Sequence, residues 1–236
     1  MKTVIHKAVT RGHANHGWLN SYHTFSFAGY YDQNRIHFGA LCVLNDDTVA
    51  AAMGFGTHLH DNMEIISIPL SGDLKHKDSM GNETVIRQGD IQVMSAGTGI
   101  SHSEMNANKD KEVKFLQIWV VPNKKNVQPR YGQIQMDEAK MNNAFLQVLS
   151  PNENEEGVWI HQDAYFNICK LEKNISRTYQ LKNKANGVYA FVLEGAATIA
   201  GNELSKRDGL EITETDLFTV TANEEAKILL MEVPMI

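Results

Sequence analysis

The sequence predicts an all-β protein built as two tandem β-barrel domains with little helix. Three observations carry this expectation. Short runs rich in Val, Ile, Phe and Thr recur along the chain, from IHFGALCVL and EIISIPL to GVYAFVL and AKILLMEV, and such residues favour strands. Gly, Asn and Asp turns such as SMGNE and IAGNE divide them at close intervals, the spacing of a sandwich or barrel. The two halves also repeat one order. An apolar run, Leu70-Ser71-Gly72, a polar hairpin and Arg87-Gln88-Gly89-Asp90 are matched by an apolar run, Leu193-Glu194-Gly195, a hairpin and Arg207-Asp208-Gly209-Leu210. A repeat of that length fits duplication of a small β unit.

In chain order, TVIHKAV, IHFGALCVL, EIISIPL, TVIRQGDIQVM and VKFLQIWVV are the strand signals of the first unit, residues 1–134. YFNICKL, GVYAFVL, DGLEIT, LFTVTA and AKILLMEV are those of the second, residues 135–236. The stretch from about 122 to 157, with VPNKKNVQPRYG and PNENEEG, reads as a linker. It holds the best helix candidate, MDEAKMNNAF at 136–145, where Asp137 and Glu138 suit a first turn.

Composition narrows the function. With 236 residues, 42% of them apolar and 21% charged, there is material for a real core. The net charge of −6, from 22 basic and 28 acidic residues, argues against direct nucleic-acid binding. The opening MKTVIHKAVTRG lacks the apolar centre of a secretory signal. No stretch approaches the roughly 18–20 apolar residues of a membrane span. A cytoplasmic protein with no membrane partner is expected. Cys42 and Cys169 each sit in an apolar strand-like run, as buried inert thiols do.

The chemistry concentrates in THLHDNMEIISIPLSG and GTGISHSEMN. Alternate side chains of a strand share a face, so His58 and His60 point the same way, roughly 7 Å apart along the chain. At the same parity Glu64 points inward too, provided the strand runs unbroken. His102 and Glu104 repeat the pattern on a second segment. Three neutral imidazoles with a carboxylate suit iron, and also manganese, nickel, copper or zinc.

The order WLNSYHTFSFAGYYD at 18–32, NDDTV at 45–49, GFGTHLH at 54–60, MEI at 63–65 and QVMSAGTGISHSEMN at 92–106 resembles the pirin family of the cupin superfamily, in particular its bacterial members. The resemblance is dense over residues 11–122 and colinear beyond. It implies a bicupin, two double-stranded β-helix (jelly-roll) barrels, with metal in the first and none in the second, which has no H-x-H. It implies one divalent metal, Fe(II) first, held by His58, His60, His102 and Glu104, and leaves Glu64 to the pocket wall or to structure. Leu59 stands where pirins commonly have proline, and Asp61 where arginine is more usual. Bacterial pirins resemble quercetin 2,3-dioxygenases, which open a flavonol ring and release carbon monoxide. The implied function is therefore a dioxygenase-type oxidoreductase taking a flavonol-like aromatic substrate and O2, with Glu104 as general base. The alternative is a non-enzymatic metal- or redox-sensing protein that binds a transcription factor or a metabolic enzyme.

Other histidines read as structure. His6, His13, His16 and His23 lack paired spacing, and His161 reads as an exposed strand-edge residue. Phe25, Phe27, Tyr30 and Tyr31 read mainly as core aromatics with one at the pocket mouth, and Met94 and Met105 as apolar packing.

Overall fold

A computed structural model describes residues 1–235 and consists almost wholly of β-strands, as the turn spacing predicts. In the first half, a seven-stranded sheet runs Arg130–Gln135, Asp90–Ser95, Glu64–Ser71, Val113–Val120, Leu41–Val49, Leu19–His23, Gly12–Asn15. A four-stranded sheet runs Gly54–His60, Ile100–Asn106, Leu74–Asp78, Glu83–Ile86. The second half repeats both. Its large sheet runs Lys2–His6, Gly209–Thr213, Asn186–Glu194, Ala226–Pro234, Tyr165–Leu171, Leu146–Ser150, Val158–Trp159. Its small sheet runs Ser176–Gln180, Leu217–Ala222, Ala196–Ile199, Asn202–Ser205.

The outermost strands are exchanged. Lys2–His6 precedes the first barrel yet pairs with Gly209–Thr213 in the second, Lys2 lying opposite Thr213. Arg130–Gln135 lies between the barrels and pairs back onto Asp90–Ser95 in the first. Each is followed by one short 3-10 turn, Ala8–Thr10 and Glu138–Met141. The expected linker at 122–157 is therefore not only a connection, since it supplies the strand Arg130–Gln135 to one barrel and Leu146–Ser150 to the other. The helix expected over 136–145 shrinks to Glu138–Met141. Asp137 caps it by accepting from Ala139 N at 3.1 Å, but Asn143 at φ 52° turns the chain out at once, as Asn does more readily than most residues.

Alternation along the large sheets divides the core. Ile66, Ile68, Leu116 and Ile118 of the first large sheet share one buried cluster with Phe166, Ile168, Phe191 and Leu229 of the second, which joins the barrels. The opposite face of the second sheet, with Cys169, Val188, Val192, Ile228 and Leu230, fills that barrel with apolar side chains. The first barrel is different. Its apolar cluster is small, centred on Leu74, Ile86 and Phe115. A second small cluster gathers Ile65, Met94 and Ile100, and between them the inward face carries Asn45, Asp47, Ser67, His76, Gln117 and Glu104, all buried. Buried polar groups cost stability unless they are partnered, so this barrel gives up core to hold a site.

Candidate metal centre

The site forms where two strands of the small sheet meet. His102 lies directly opposite His58, and Ile100 opposite His60, across the antiparallel pair Ile100–Asn106 and Gly54–His60. Leu59, between the two histidines, is 80% exposed, so its flanking imidazoles turn inward as the period of two requires. Ring centroids are 4.4 Å apart for His58 and His102, 4.9 Å for His60 and His102, and 4.8 Å for His58 and His60. One nitrogen from each ring lies within 4.8 Å of the others.

The rings are prepared as ligands. His58 Nδ1 donates to the Gly56 carbonyl at 2.8 Å, which leaves Nε2 with its lone pair, as metal-bound histidines are typically arranged. Burial, followed by the field of the neighbouring histidines, depresses His102 to about 3. Burial, then His58, depresses His60 to about 4. Both rings are neutral at physiological pH, the form that binds metal. Neither nitrogen of buried His102 has a hydrogen-bond partner among the described residues. Leaving both unmet is costly in a closed protein, and a divalent cation would take the lone pair of one of them.

Glu104 shares the inward face of its strand with His102 but does not join the three-histidine cluster at ligand spacing. Its Oε1 accepts from Ser67 Oγ at 3.0 Å and its Oε2 from Gln117 Nε2 at 2.5 Å. Burial raises its pKa against those two donors. Glu64 lies elsewhere. The turn at Asn62, φ 45°, ends the strand after His60, so parity does not carry through to Glu64. It shares the face of Ile66 and Ile68 and accepts from Ser95 Oγ at 2.6 Å. Burial lifts its pKa to about 7, opposed by Ser95 and Arg130. Glu64 is a structural group on the inter-barrel side of its sheet.

A cavity of about 640 Å³ opens beside His58. Phe27, Tyr30 and Phe55 supply its aromatic walls, and Asn45, Asp47 and Gln117 its polar floor. Two of the expected core aromatics are thus at the pocket, and Tyr31 is 75% exposed; only Phe25, at 1%, is core. His13, His16 and His23 also line the cavity, yet the described residues offer one cluster with ligand spacing, His58, His60 and His102. His6 hydrogen-bonds Tyr189 Oη at 3.0 Å and is structural. His161 is half-buried in a loop, its ring 4.9 Å from that of Trp159, rather than an exposed strand-edge residue. Met94 packs with Ile65 and Ile100. Cys169 is fully buried and Cys42 partly so, and burial pushes their thiols up to about 12 and about 11.

Two residues of the site escape a reading of the sequence. His76 sits in what reads as a solvent hairpin, KHKDSMGNE, but is fully buried. Its Nε2 donates to Asp78 at 3.0 Å and its ring stands 5.4 Å from that of His102. Asp47 accepts from the Ser21 hydroxyl, and burial lifts its carboxyl to about 7. The available signal is a pair of aspartates in an otherwise apolar strand, LCVLNDDTV.

The comparisons with known proteins agree with this geometry. The Pirin family model matches residues 5–120, and the model of the quercetinase C-terminal cupin domain matches residues 147–233. A quercetin 2,3-dioxygenase of Escherichia coli K12 is 41% identical over 230 residues, covering 98% of each chain. The chain belongs to the pirin family. A pirin-like protein of Caulobacter vibrioides is 36% identical over 94% of this pirin. The crystal structure of the bacterial pirin YhhW from Escherichia coli in complex with nickel(II) superposes with a TM-score of 0.94 at 39% identity, covering 100% of both chains. A quercetin 2,3-dioxygenase structure from Acinetobacter baumannii, 17% identical with a TM-score of 0.78, shares the fold.

Proposed function

We propose that this pirin is an Fe(II)-dependent oxidoreductase that opens the ring of a flavonol such as quercetin with dioxygen. One observation carries the reading: three imidazoles converge at ligand spacing, and one of them, His58, lines a cavity walled by aromatic side chains. Its volume, about 640 Å³, falls within the roughly 300–1,000 Å³ that hold small ligands. A regulatory module that docks on a partner protein does not require such a cavity. The relatives named quercetin 2,3-dioxygenase support the substrate class.

His58, His60 and His102 would hold the metal, and Glu104, on the same strand face as His102 but outside their cluster, would serve as the base beside it. Bound Fe(II) supplies Lewis acidity toward a substrate hydroxyl and redox chemistry toward dioxygen. The protein does the rest. Phe27, Tyr30 and Phe55 bury the planar rings and exclude water from them. Glu104, its pKa raised by burial, takes the hydroxyl proton. Ser67 and Gln117 keep its carboxylate aimed into the barrel.

Fe(II)-loaded wild type is expected to consume quercetin and oxygen together, and His58→Ala to consume neither. Absence of turnover by the loaded wild type overturns the reading.

A further inference from the structure

The floor of the cavity holds more polar chemistry than the metal site uses. Asn45 and Asp47 stand two residues apart on one strand, so both face inward, and they are 2% exposed each. Asn45 Oδ1 has no hydrogen-bond partner among the described residues. Asp47 accepts from Ser21 through Oδ1, and no donor within the described residues reaches its other oxygen. His23 Nδ1, which lines the same cavity at 4% exposure, is also without a partner.

The second barrel shows that the fold does not require this. By sheet register, Asn45 pairs with Gln117 and Asp47 with Phe115. The matching pairs in the second barrel are Asn167 with Leu230 and Cys169 with Ile228. There the asparagine's amide donates to Tyr179 Oη at 3.1 Å, and the aspartate position is a cysteine in apolar core. At the aspartate position, only the barrel with the histidine cluster carries an acceptor. A buried polar atom without a hydrogen bond is destabilising, so open acceptors facing a cavity point to a ligand that donates to them.

We propose that Asn45 and Asp47 form a specificity ledge that accepts hydrogen bonds from hydroxyl groups on the pendant ring of the aromatic substrate, while Phe27 and Phe55 hold that ring's faces. The proposal deepens the flavonol reading above and rests on it for the substrate class. The ledge offers acceptors, so it selects rings that carry hydroxyl donors over bare or methoxylated rings. Neither residue belongs to the metal cluster, so the ledge acts on binding before any chemistry.

The test measures equilibrium binding by tryptophan fluorescence quenching on metal-free protein. Its two probes are a flavonol with two adjacent hydroxyls on its pendant ring and the same flavonol without them. Wild type is expected to prefer the hydroxylated probe about tenfold, the worth of one to two hydrogen bonds. Asp47→Ala and Asn45→Ala are each expected to reduce that preference to twofold or less while leaving Ni(II) stoichiometry and binding of the unhydroxylated probe intact. The Ni(II) measurement identifies any variant that has lost its fold, and the other variant then carries the test. Equal binding of both probes by wild type, including no binding of either, overturns the ledge, as does a preference that survives both substitutions. Preference lost in the variants without turnover by loaded wild type sinks the dioxygenase reading alone. Turnover without preference sinks the ledge alone.

Discussion

His102 stands opposite His58 across two paired strands, but Glu104, two residues further on, stands opposite Phe55, because the register slips by one residue between them. The irregularity separates the roles of two residues that share one strand face. His102 keeps its place among the imidazoles, and Glu104 is drawn toward Ser67 and Gln117 on the large sheet.

Metal should stabilise the protein through His102. With Ni(II) at a hundredfold excess over its dissociation constant, mass action raises unfolding free energy by about 2.7 kcal/mol. Differential scanning calorimetry should show that gain in wild type and lose it in His102→Ala. The same substitution relieves two unpartnered buried nitrogens, so the metal-free variant should melt no lower than metal-free wild type by more than the cavity cost of the missing ring.

Gln117→Leu removes the amide that donates to Glu104 at 2.5 Å. A buried carboxylate that loses one of two donors should cost about 1–3 kcal/mol, read as a lower urea midpoint at unchanged slope.

Stability should fall as pH rises through the range set by Glu64. Its carboxyl, ordinarily near 4.5, is lifted to about 7 by burial. Below pH 4.5 both folded and unfolded states hold the proton, and burial carries no penalty. Between there and pH 7 the unfolded state ionises first, so stability is lost, on the order of 3 kcal/mol; above that it levels off. Glu64→Gln should flatten most of this slope in a series of urea melts, leaving the part due to Asp47, which is also lifted to about 7.

The histidines were readable because they need only the period of a strand. H-x-H at 58–60 and H-S-E at 102–104 fix which side chains share a face, and pairing of the two segments does the rest. Glu64 marks the limit of that rule, which holds only along an unbroken strand, since one turn at Asn62 resets the parity. Asn45, Asp47 and His76 were hidden for another reason. A polar residue on a strand looks alike whether its face meets water or a barrel interior, and only closure of the barrel decides. The exchange of outer strands was hidden too, because nothing local to Lys2–His6 names a partner more than 200 residues away.

Gly97, at φ 49°, holds the loop that leads into the His102 strand, and a Cβ there would collide with the Val127 carbonyl. Thr98 N also donates to that carbonyl at 2.9 Å. Gly97→Ala should therefore cost about 1–3 kcal/mol and weaken Ni(II) binding, measured together by calorimetry and metal titration.

The exchanged strands set an order of assembly on the ribosome. Lys2–His6 is made well before its partner strand, which ends at Thr213, so it is among the last strands to be paired. Until then the nascent chain carries an open sheet edge with nothing to zip onto, while the barrel with the histidine cluster, whose own borrowed strand ends at Gln135, can already close. The half that holds the three histidines is thus complete before the half that locks it in place.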